Sequence, residues 1–549
     1  MKLYLTEHVL AALKTAGIEC SVTPSFEKPR QAEHGDLTTN IAMILAKQAK
    51  IVPRLLAQKI VDCLTLDPAL VDRIEIAGPG FINFRFTNDF FRKSLQEILQ
   101  QNSGYGKLNL VNGKKTQVEF VSANPTGPLT VGHGRGAVFG DTVARLLEWT
   151  GHNVTREYYF NNAGRQMRIL GDSVRLRYLQ SLGDILEFPE EYYQGEYIKE
   201  IANGLKDKHG DTLRNEPAEG LFKQQAEFEI FEDIKKTLRR LGVVHDVFSN
   251  ENELYESGKV KDVIEQLRAK DLAYDLDGAV WFKATQFGSE KDKVIVKSTG
   301  EPTYRLPDIA YHREKLRRGF ELVIDVLGAD HIASFPDVIA GLNALDIDPS
   351  GIKVLIHQFV TIVQNGEVVK MSTRKANFVT LDELMDEAGA GTAGADVVRY
   401  FFIMRSVDSH LNFDLGLAKK QSDENPVYYL QYAHARIASI IRHAEEIGVD
   451  RNALANLSLL DKPEEITLIK RLLDFPGMVE SCAATFEPHR LADYLNDLAA
   501  LYHRFYHECR VVDPENLPLT AARMSLCLAT KTVLGNGFAI LGISAPERM

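Results

Sequence analysis

Hydrophobic positions in the first part of the chain follow two different periods. Leu10, Leu13 and Ile18 follow a helical period, whereas residues 74–86 alternate like strands on either side of a Gly-Pro-Gly turn. The polar stretch 100–115 is typical of a linker. These patterns predict a small α/β domain over residues 1–110.

From Thr116 onward, short apolar runs alternate with helical patterns. The runs have the composition of strands, and they lie at residues 116–122, 154–160, 321–331 and 353–363. Alternation of this kind predicts a mostly parallel, Rossmann-type sheet with helical crossovers, in a domain over residues 111–385. A charged, helical pattern at about 170–290 is typical of an insertion, and 386–415 of a connecting segment.

Beyond Gly416 the pattern is almost purely helical. Apolar residues recur with a period of 3.6 around 467–480, 488–509 and 519–541, which predicts an all-α C-terminal helical bundle over residues 416–549. The expected fold is therefore multidomain: a small α/β domain, an α/β parallel-sheet domain and a helical bundle.

Composition narrows the class of protein. The 549 residues are 45% hydrophobic and 25% charged, as in ordinary soluble proteins, and no apolar run approaches the roughly 20 residues of a membrane span. Five scattered cysteines without a CxxC motif indicate reduced thiols in a cytoplasmic protein without zinc. The net charge of −11 argues mildly against nucleic acid, although local patches decide such binding.

The first candidate for chemistry is His133, which follows a strand and a Pro/Gly loop. Gly132 and Gly134 flank it, and the helical pattern begins here. Backbone N–H groups and the positive end of a helix dipole would then face a phosphate, and the histidine could donate a hydrogen bond to it. The alternative is a loop histidine with a structural hydrogen bond.

A second cationic element follows 237 residues later, at 370–374. It comes after a predicted hairpin turn at 364–367. Lysine and arginine on a hinged loop could close over a triphosphate and neutralise its charge. Taken alone, the segment is better explained as a solvated basic loop, and only its combination with the element around His133 favours the functional interpretation.

Acidic and aromatic residues accompany these two elements. Glu119 lies near the end of the first strand, Asn124 follows it, and Tyr304 precedes Asp308 by four residues. Carboxylates, an amide and an aromatic face in one pocket would suit a guanidinium group. Residues 328–331 end another strand, at the sheet edge where α/β proteins bind ligands.

With these residues in view, the chain resembles the arginyl-tRNA synthetases, which are class I aminoacyl-tRNA synthetases. The segment 130–133 looks like the HIGH element of the class and 370–374 like its KMSKS loop. Further similarity lies in NPVYYLQYAHAR, the terminal LGISAPERM, HGDLTTNIAM and AGPGFINF. The match runs over nearly the full length, with its segments in the order of the family.

The resemblance implies that ATP, with Mg²⁺ bound to it, activates L-arginine, and that the arginyl group passes to tRNA(Arg). It implies no protein-ligated metal, no membrane and a monomer. It assigns residues 1–110 to binding of the tRNA elbow, 111–385 to the catalytic domain and 416–549 to binding of the anticodon. By function, the implied residues are His133, Lys370, Ser372 and Arg374 for catalysis; Ala123, Asn124, Pro125, Thr126, Gly127, Pro128, Leu129, Thr130, Val131, Gly132 and His133 for the HIGH region; Glu119, Asn124, Tyr304 and Asp308 for arginine; Gly132, His133, Gly134, Asp330, His331 and Lys370 for ATP; and Phe81, Asn83, Tyr428, Tyr429, Tyr432 and Met549 for tRNA.

Three positions depart from the family pattern. Thr130 replaces the first histidine of HIGH, and Thr373 replaces the second lysine of KMSKS. Many family members without that second lysine carry a compensating lysine shortly before HIGH, at the position that is Gly127 in this chain. Lys375 is a hypothetical substitute. The departures leave open a paralogue that binds tRNA or arginine without joining them. A class I synthetase for another amino acid is a third reading, which the acidic Glu119 and Asp308 disfavour.

Overall fold

The computed structural model describes residues 1–29, 31–329, 335–369, 380–451 and 455–549. The chain forms two compact units. One comprises Met1–Tyr105, Arg436–Asp474 and Ala500–Val533, and the other comprises Gly106–Ala435, Phe475–Ala499 and Leu534–Met549.

The N-terminal segment of the first unit is a small α/β structure. Its elements are α1 (Lys2–Thr15), β1 (Leu37–Thr39), α2 (Ile41–Ala49), α3 (Pro53–Asp62), β2 (Val71–Ala77), β3 (Phe81–Phe86) and α4 (Asn88–Gln101). The strands pair antiparallel in the order β1-β3-β2. The predicted Gly-Pro-Gly turn joins β2 to β3, with Gly78 at φ 51° and Gly80 at φ 139°, conformations that glycine adopts without strain.

The second unit contains the parallel sheet. Its elements up to residue 296 are β4 (Lys115–Glu119), α5 (Val131–Trp149), β5 (Asn153–Phe160), α6 (Gly164–Ser181), α7 (Glu196–His209), α8 (Lys223–Arg240), β6 (Val247–Asn250), α9 (Glu251–Glu256), α10 (Lys259–Ala269), β7 (Ala273–Leu276), β8 (Ala279–Phe282) and β9 (Lys293–Val296). Those that follow are α11 (Arg305–Arg317), β10 (Leu322–Gly328), α12 (Phe335–Ala344), β11 (Ile352–His357), β12 (Val360–Gln364), β13 (Glu367–Val368), α13 (Leu381–Ala388), α14 (Thr392–Ile403), β14 (Leu411–Asp414) and α15 (Leu415–Ala418).

Five strands of this unit form a fully parallel sheet in the order β11-β10-β4-β5-β6. The order of the strands reverses between β4 and β10, because β5 and β6 follow β4 on one side and β11 follows β10 on the other. Such a reversal leaves a crevice at the carboxyl ends of the two strands, where doubly wound folds bind ligands. The predicted parallel-sheet fold is therefore confirmed.

The segment 170–290 is less purely helical than its pattern indicates. It contains most of α6 and all of α7 to α10, but also β6, which joins the edge of the parallel sheet. Strands β7, β8 and β9 form a separate antiparallel sheet. Short strands between charged helices do not stand out in the hydrophobic period, because their exposed faces are polar.

The prediction of one strand over 353–363 is wrong. The chain forms β11 in the parallel sheet and then β12, which pairs with β13 and β14 in another sheet. Gln358 lies between them, where its backbone oxygen accepts a hydrogen bond from Arg135 at 2.8 Å and its N–H donates to Val407. These partners take the chain out of the parallel ladder.

The predicted hairpin turn at 364–367 is confirmed. Gln364 pairs with Glu367, which leaves Asn365 and Gly366 as a two-residue turn with φ 53° and 81°. Positive φ at both central residues is the condition for the tight turn that Asn-Gly favours.

The C-terminal part is helical, as predicted. Its helices are α16 (Pro426–Glu446), α17 (Pro463–Leu473), α18 (Phe475–Thr485), α19 (His489–Glu508) and α20 (Leu517–Leu541). By length and composition α20 could cross a membrane, but 72% of its most apolar window is buried inside the protein. A buried core helix passes the same test, so α20 is weak evidence for a membrane span.

Candidate active site

The loop between β4 and α5 lies at the carboxyl end of β4, beside the reversal of strand order. Val121 and Ser122 adopt positive φ values of 72° and 46°, which end β4 earlier than its apolar pattern indicates. For a β-branched valine this conformation is strained, and such strain persists only where surrounding contacts impose it. Ser122 supplies two of those contacts, donating to Glu119 and accepting from the backbone N–H of Tyr159.

His133 lies in the first turn of α5, as predicted, and its ring is oriented by the backbone. The N–H of Thr130 donates to Nδ1 of His133 at 3.1 Å. Because Nδ1 accepts this bond, the proton of the neutral ring is on Nε2, which becomes a donor. Burial lowers the pKa of His133 and favours that neutral form.

Thr130 stands where the family pattern has a histidine, and here it has a structural role of its own. It is the N-cap residue of α5, and its Oγ1 also lies 3.2 Å from Nδ1 of His133. A threonine at this position begins the helix and fixes the imidazole at the same time. The orientation of the His133 ring therefore does not depend on a histidine at position 130.

A row of three carboxylates crosses the sheet beneath this loop. Asp325 of β10 pairs in register with Glu119 of β4, which in turn pairs with Glu157 of β5. All three side chains are buried. Because buried charges need partners, this row requires cations close by.

Helix α11 and the residue that follows its last turn supply those cations. The ammonium group of Lys315, itself fully buried, binds both Glu119 and Asp325, and Arg318 forms two hydrogen bonds to Glu157. Despite burial, Lys315 holds the pKa of Asp325 well below its usual range, and Arg318 lowers the pKa of Glu157. The row is thus neutralised within the protein.

Asp308 and Glu251 differ from the carboxylates of this row, because neither forms an ion pair with a residue that the structure describes. Burial, with the nearby carboxylates Glu251 and Glu119, raises the pKa of Asp308 to about 7. Burial also raises the pKa of Glu251, although this carboxylate accepts hydrogen bonds from Tyr159 at 3.0 Å and Asn161 at 2.8 Å. The pair therefore presents negative charge to a cation from outside.

Two further predicted arginine contacts lie near this pair. Asn124 accepts a hydrogen bond from the backbone of Asn161 and donates to Gln166, so it is linked through Asn161 to Glu251. Tyr304 precedes α11, one turn before Asp308, and its side chain is 83% exposed. Glu119 is engaged with Lys315 and Ser122, which makes Asp308 and Glu251 the better placed pair for a guanidinium.

Sequence reasoning missed Glu251, Lys315 and Asp325. Asp308, His312 and Lys315 share one face of α11, where His312 lies 3.0 Å from Asp325. The spacing of four and three residues is legible in the sequence, but an amphipathic surface helix shows the same spacing. Only the register of the parallel strands identifies these residues as buried partners.

Arg135 is a further buried cation that the sequence did not single out. Its guanidinium donates to the backbone oxygens of Gln358, Ser406 and Ser409 at 2.8 to 3.0 Å. Burial lowers its pKa to about 10. Through these bonds Arg135 attaches the loop around 404–409 to the first turns of α5.

The predicted tRNA contacts differ in exposure. Phe81 is 36% exposed beside the Gly-Pro-Gly turn, whereas Asn83 of the central strand β3 is 4% exposed. Tyr428 and Tyr432 of α16 are stacked, with ring centroids 6.1 Å apart, and Tyr432 and Met549 are exposed. Tyr429 is partly buried.

Several predicted residues lie outside the described part of the chain. They are Asp330, His331, Lys370, Ser372, Thr373, Arg374 and Lys375. Among the described residues, no group of three or more His, Cys, Asp or Glu side chains is arranged to hold a metal ion.

Three family models match consecutive parts of the chain. The arginyl tRNA synthetase N-terminal domain matches residues 4–86, the class I (R) tRNA synthetase catalytic domain matches 94–394, and the DALR anticodon binding domain matches 430–549. The catalytic match covers more than half of the chain. Together with the parallel sheet and the loop that opens α5, it defines a class I aminoacyl-tRNA synthetase.

Curated relatives are similar to this chain over its full length. The arginine–tRNA ligase of Chlorobaculum parvum is 50% identical over 558 residues and covers 100% of both chains, and that of Chlorobium phaeovibrioides is 52% identical over 547 residues, 98% of each. The chain belongs to the arginyl-tRNA synthetase family. The Thermus thermophilus arginyl-tRNA synthetase structure, at 23% identity, shares the fold with a TM-score of 0.77 over 100% of both chains.

Proposed function

We propose that this chain joins L-arginine to tRNA(Arg) and that Asp308 and Glu251 hold the arginine guanidinium. The single observation that carries the assignment of the pocket is the pair of carboxylates without a cationic partner among the described residues. A guanidinium offers planar donors to two carboxylates and supplies the missing positive charge. Asn124, linked to Glu251 through Asn161, and the exposed ring of Tyr304 complete the pocket.

The reaction has two steps. The arginine carboxylate attacks the α-phosphorus of ATP, which forms arginyl-adenylate and releases pyrophosphate. A terminal ribose hydroxyl of tRNA then attacks the arginyl carbonyl, which releases AMP. The protein contributes placement and charge: Nε2–H of His133 donates to a phosphate oxygen, and the N-terminus of α5 faces the phosphates.

The remaining assignments are part of the same proposal. Magnesium enters with ATP and neutralises triphosphate charge, and Lys370, Ser372 and Arg374 act from their loop, with Asp330 and His331 on the ATP side. Residues 1–110 contact the tRNA elbow through Phe81, and 416–549 read the anticodon through Tyr428, Tyr432 and Met549. Stacking on exposed aromatic rings allows an acidic protein to bind RNA. The enzyme acts as a cytoplasmic monomer.

The first test is arginine-dependent exchange of pyrophosphate into ATP, measured with and without purified tRNA(Arg). We expect exchange with arginine because the pocket is acidic and the backbone of Thr130 orients His133 at the start of α5. Exchange with a different amino acid would overturn the assignment of the substrate. Absence of exchange under both conditions, in a protein that still binds tRNA, would identify a binding paralogue.

Arginine binding is expected to weaken as the pH falls from 8 to 6. Asp308 titrates at about 7 beside Glu251, Glu119, His312 and Lys315, and only its ionised form pairs with a guanidinium. Below pH 7 the proton must leave before arginine binds, so the apparent Kd rises by up to tenfold per pH unit. Calorimetry at several pH values measures this.

The same shift has a consequence for stability with the opposite sign. Because folding raises the pKa of Asp308 from 3.8, the ligand-free protein loses stability at this residue as the pH rises from about 4 to 7. Bound arginine removes that loss. An arginine affinity that does not change between pH 6 and 8 would contradict the proposed role of Asp308.

A further inference from the structure

The loop that leads into α5 is held from several sides. The hydroxyl of Tyr158 donates to the backbone oxygen of Ala123 at 2.8 Å, and Asn124 is held by Asn161. The next contact comes from the segment 170–290, since the hydroxyl of Tyr197 donates to the backbone oxygen of Thr126 at 2.8 Å. The loop is therefore attached to a part of the chain to which the sequence analysis assigned no function.

Tyr193 strengthens this attachment. Its hydroxyl is hydrogen-bonded to the side chain of Thr126, and its backbone N–H donates to Ser173 of α6 at 3.1 Å. Tyr197 lies in the first turn of α7, and its ring folds back over Gly195, where any side chain would collide with it. Burial raises the pKa of both tyrosines, so both hydroxyls stay protonated.

The ring of Tyr197 also covers Gly127. A Cβ atom at position 127 would lie 2.9 Å from Oη and 3.2 Å from Cζ of Tyr197, which is closer than ordinary contact. A side chain at position 127 would therefore require the ring of Tyr197, and with it the hydrogen bond to Thr126, to shift. Glycine at this position is compatible with the observed place of Tyr197.

We infer that Tyr193 and Tyr197 form a tyrosine clamp, a pair of positioning residues through which the segment 170–290 sets the loop that carries Asn124 and leads to His133. The inference rests on the proposed function, because it concerns the same site. The clamp acts on Thr126, between the residue proposed to contact arginine and the residue proposed to contact phosphate. Displacement of the loop is expected to change both contacts.

Removal of one hydroxyl tests the clamp. We expect Tyr197→Phe to lower kcat/KM for arginine in pyrophosphate exchange about three- to tenfold, the loss that corresponds to one hydrogen bond, with a higher KM. Tyr192→Phe is the matched control, because Tyr192 packs against Phe188 and its described contacts do not include the loop. Titration of active sites by adenylate formation corrects each variant for its folded fraction.

A merely structural role would change the folded fraction and leave KM unaltered, and that result would overturn the clamp. Gly127→Ala provides a second, independent measurement. It is expected to impair exchange in the wild-type chain, where Cβ meets Oη, and to have little additional effect in a Tyr197→Ala background. Equal effects in both backgrounds would contradict the inference.

Wild-type exchange is measured first, so that the two proposals fail separately. If the wild-type chain shows no exchange with arginine, the proposed function fails. The clamp is then tested by calorimetry, which compares the Kd for arginine of the wild type with that of Tyr197→Phe. If exchange is present and Tyr197→Phe matches the wild type in kcat and KM, the clamp alone fails.

Discussion

Asp308→Asn is expected to weaken arginine binding by about 2–5 kcal/mol, or roughly 30- to 4,000-fold. The substitution keeps the shape of the side chain but removes the ionised partner of the guanidinium. Glu251 would remain, with its own hydrogen bonds to Tyr159 and Asn161, but one carboxylate cannot bind both edges of the guanidinium. The effect should appear in the KM for arginine and in its Kd, and much less in the KM for ATP.

Asp277→Asn is a suitable control. Asp277 is exposed at the β7–β8 turn with φ 52° and precedes Gly278, so asparagine suits the position equally well. The Asp308 variant should also lose the pH dependence of arginine binding between pH 6 and 8. Wild-type affinity in Asp308→Asn would exclude this residue from the arginine site.

His133→Asn is expected to lower kcat for pyrophosphate exchange by about 10²–10³, the loss found when one preorganised donor to a developing charge is removed. Asparagine can accept the N–H of Thr130 but is too short to place a donor where Nε2 lies. Because the contact is made mainly in the transition state, the KM for arginine should change little. His507→Asn, at an exposed position of α19, controls for the loss of a histidine.

The pH profile of the wild type provides a second readout for His133. Protonation would place a proton on Nδ1 and break the bond from Thr130. Since burial lowers the pKa of His133, exchange at saturating arginine should be retained down to a pH below 6.5. A variant with unchanged kcat would remove His133 from the chemistry.

Much of the fold could be predicted because each strand of the parallel sheet is an apolar run between helical patterns. The predictions failed where tertiary contacts override the local pattern. Residues 353–363 have the composition of one strand, yet Arg135 binds the backbone of Gln358, which lies between two strands of different sheets. Likewise, β4 ends at Glu119 because Val121 and Ser122 adopt positive φ.

The candidate site could be predicted only where functional residue types stand close together in a short segment of sequence. His133 between glycines and Asp308 after Tyr304 were found in this way. Glu251 and Lys315 were not, because an acidic residue in a charged segment and a lysine on a helix look like surface residues. Their significance comes from strand register, which places Asp325, Glu119 and Glu157 in one row under α11.

The unmatched charge of Asp308 and Glu251 also bears on the accuracy of translation. A neutral analogue with the outline of arginine, such as citrulline, would place a carbonyl oxygen against one of two carboxylates and leave buried acceptors unpaired. Sites that recognise substrate by polar partners reject such analogues by factors of about 10⁴–10⁵, whereas apolar pockets separate neighbours poorly. If Asp308 and Glu251 bind the guanidinium as proposed, the enzyme rejects neutral analogues without a second, hydrolytic site for proofreading.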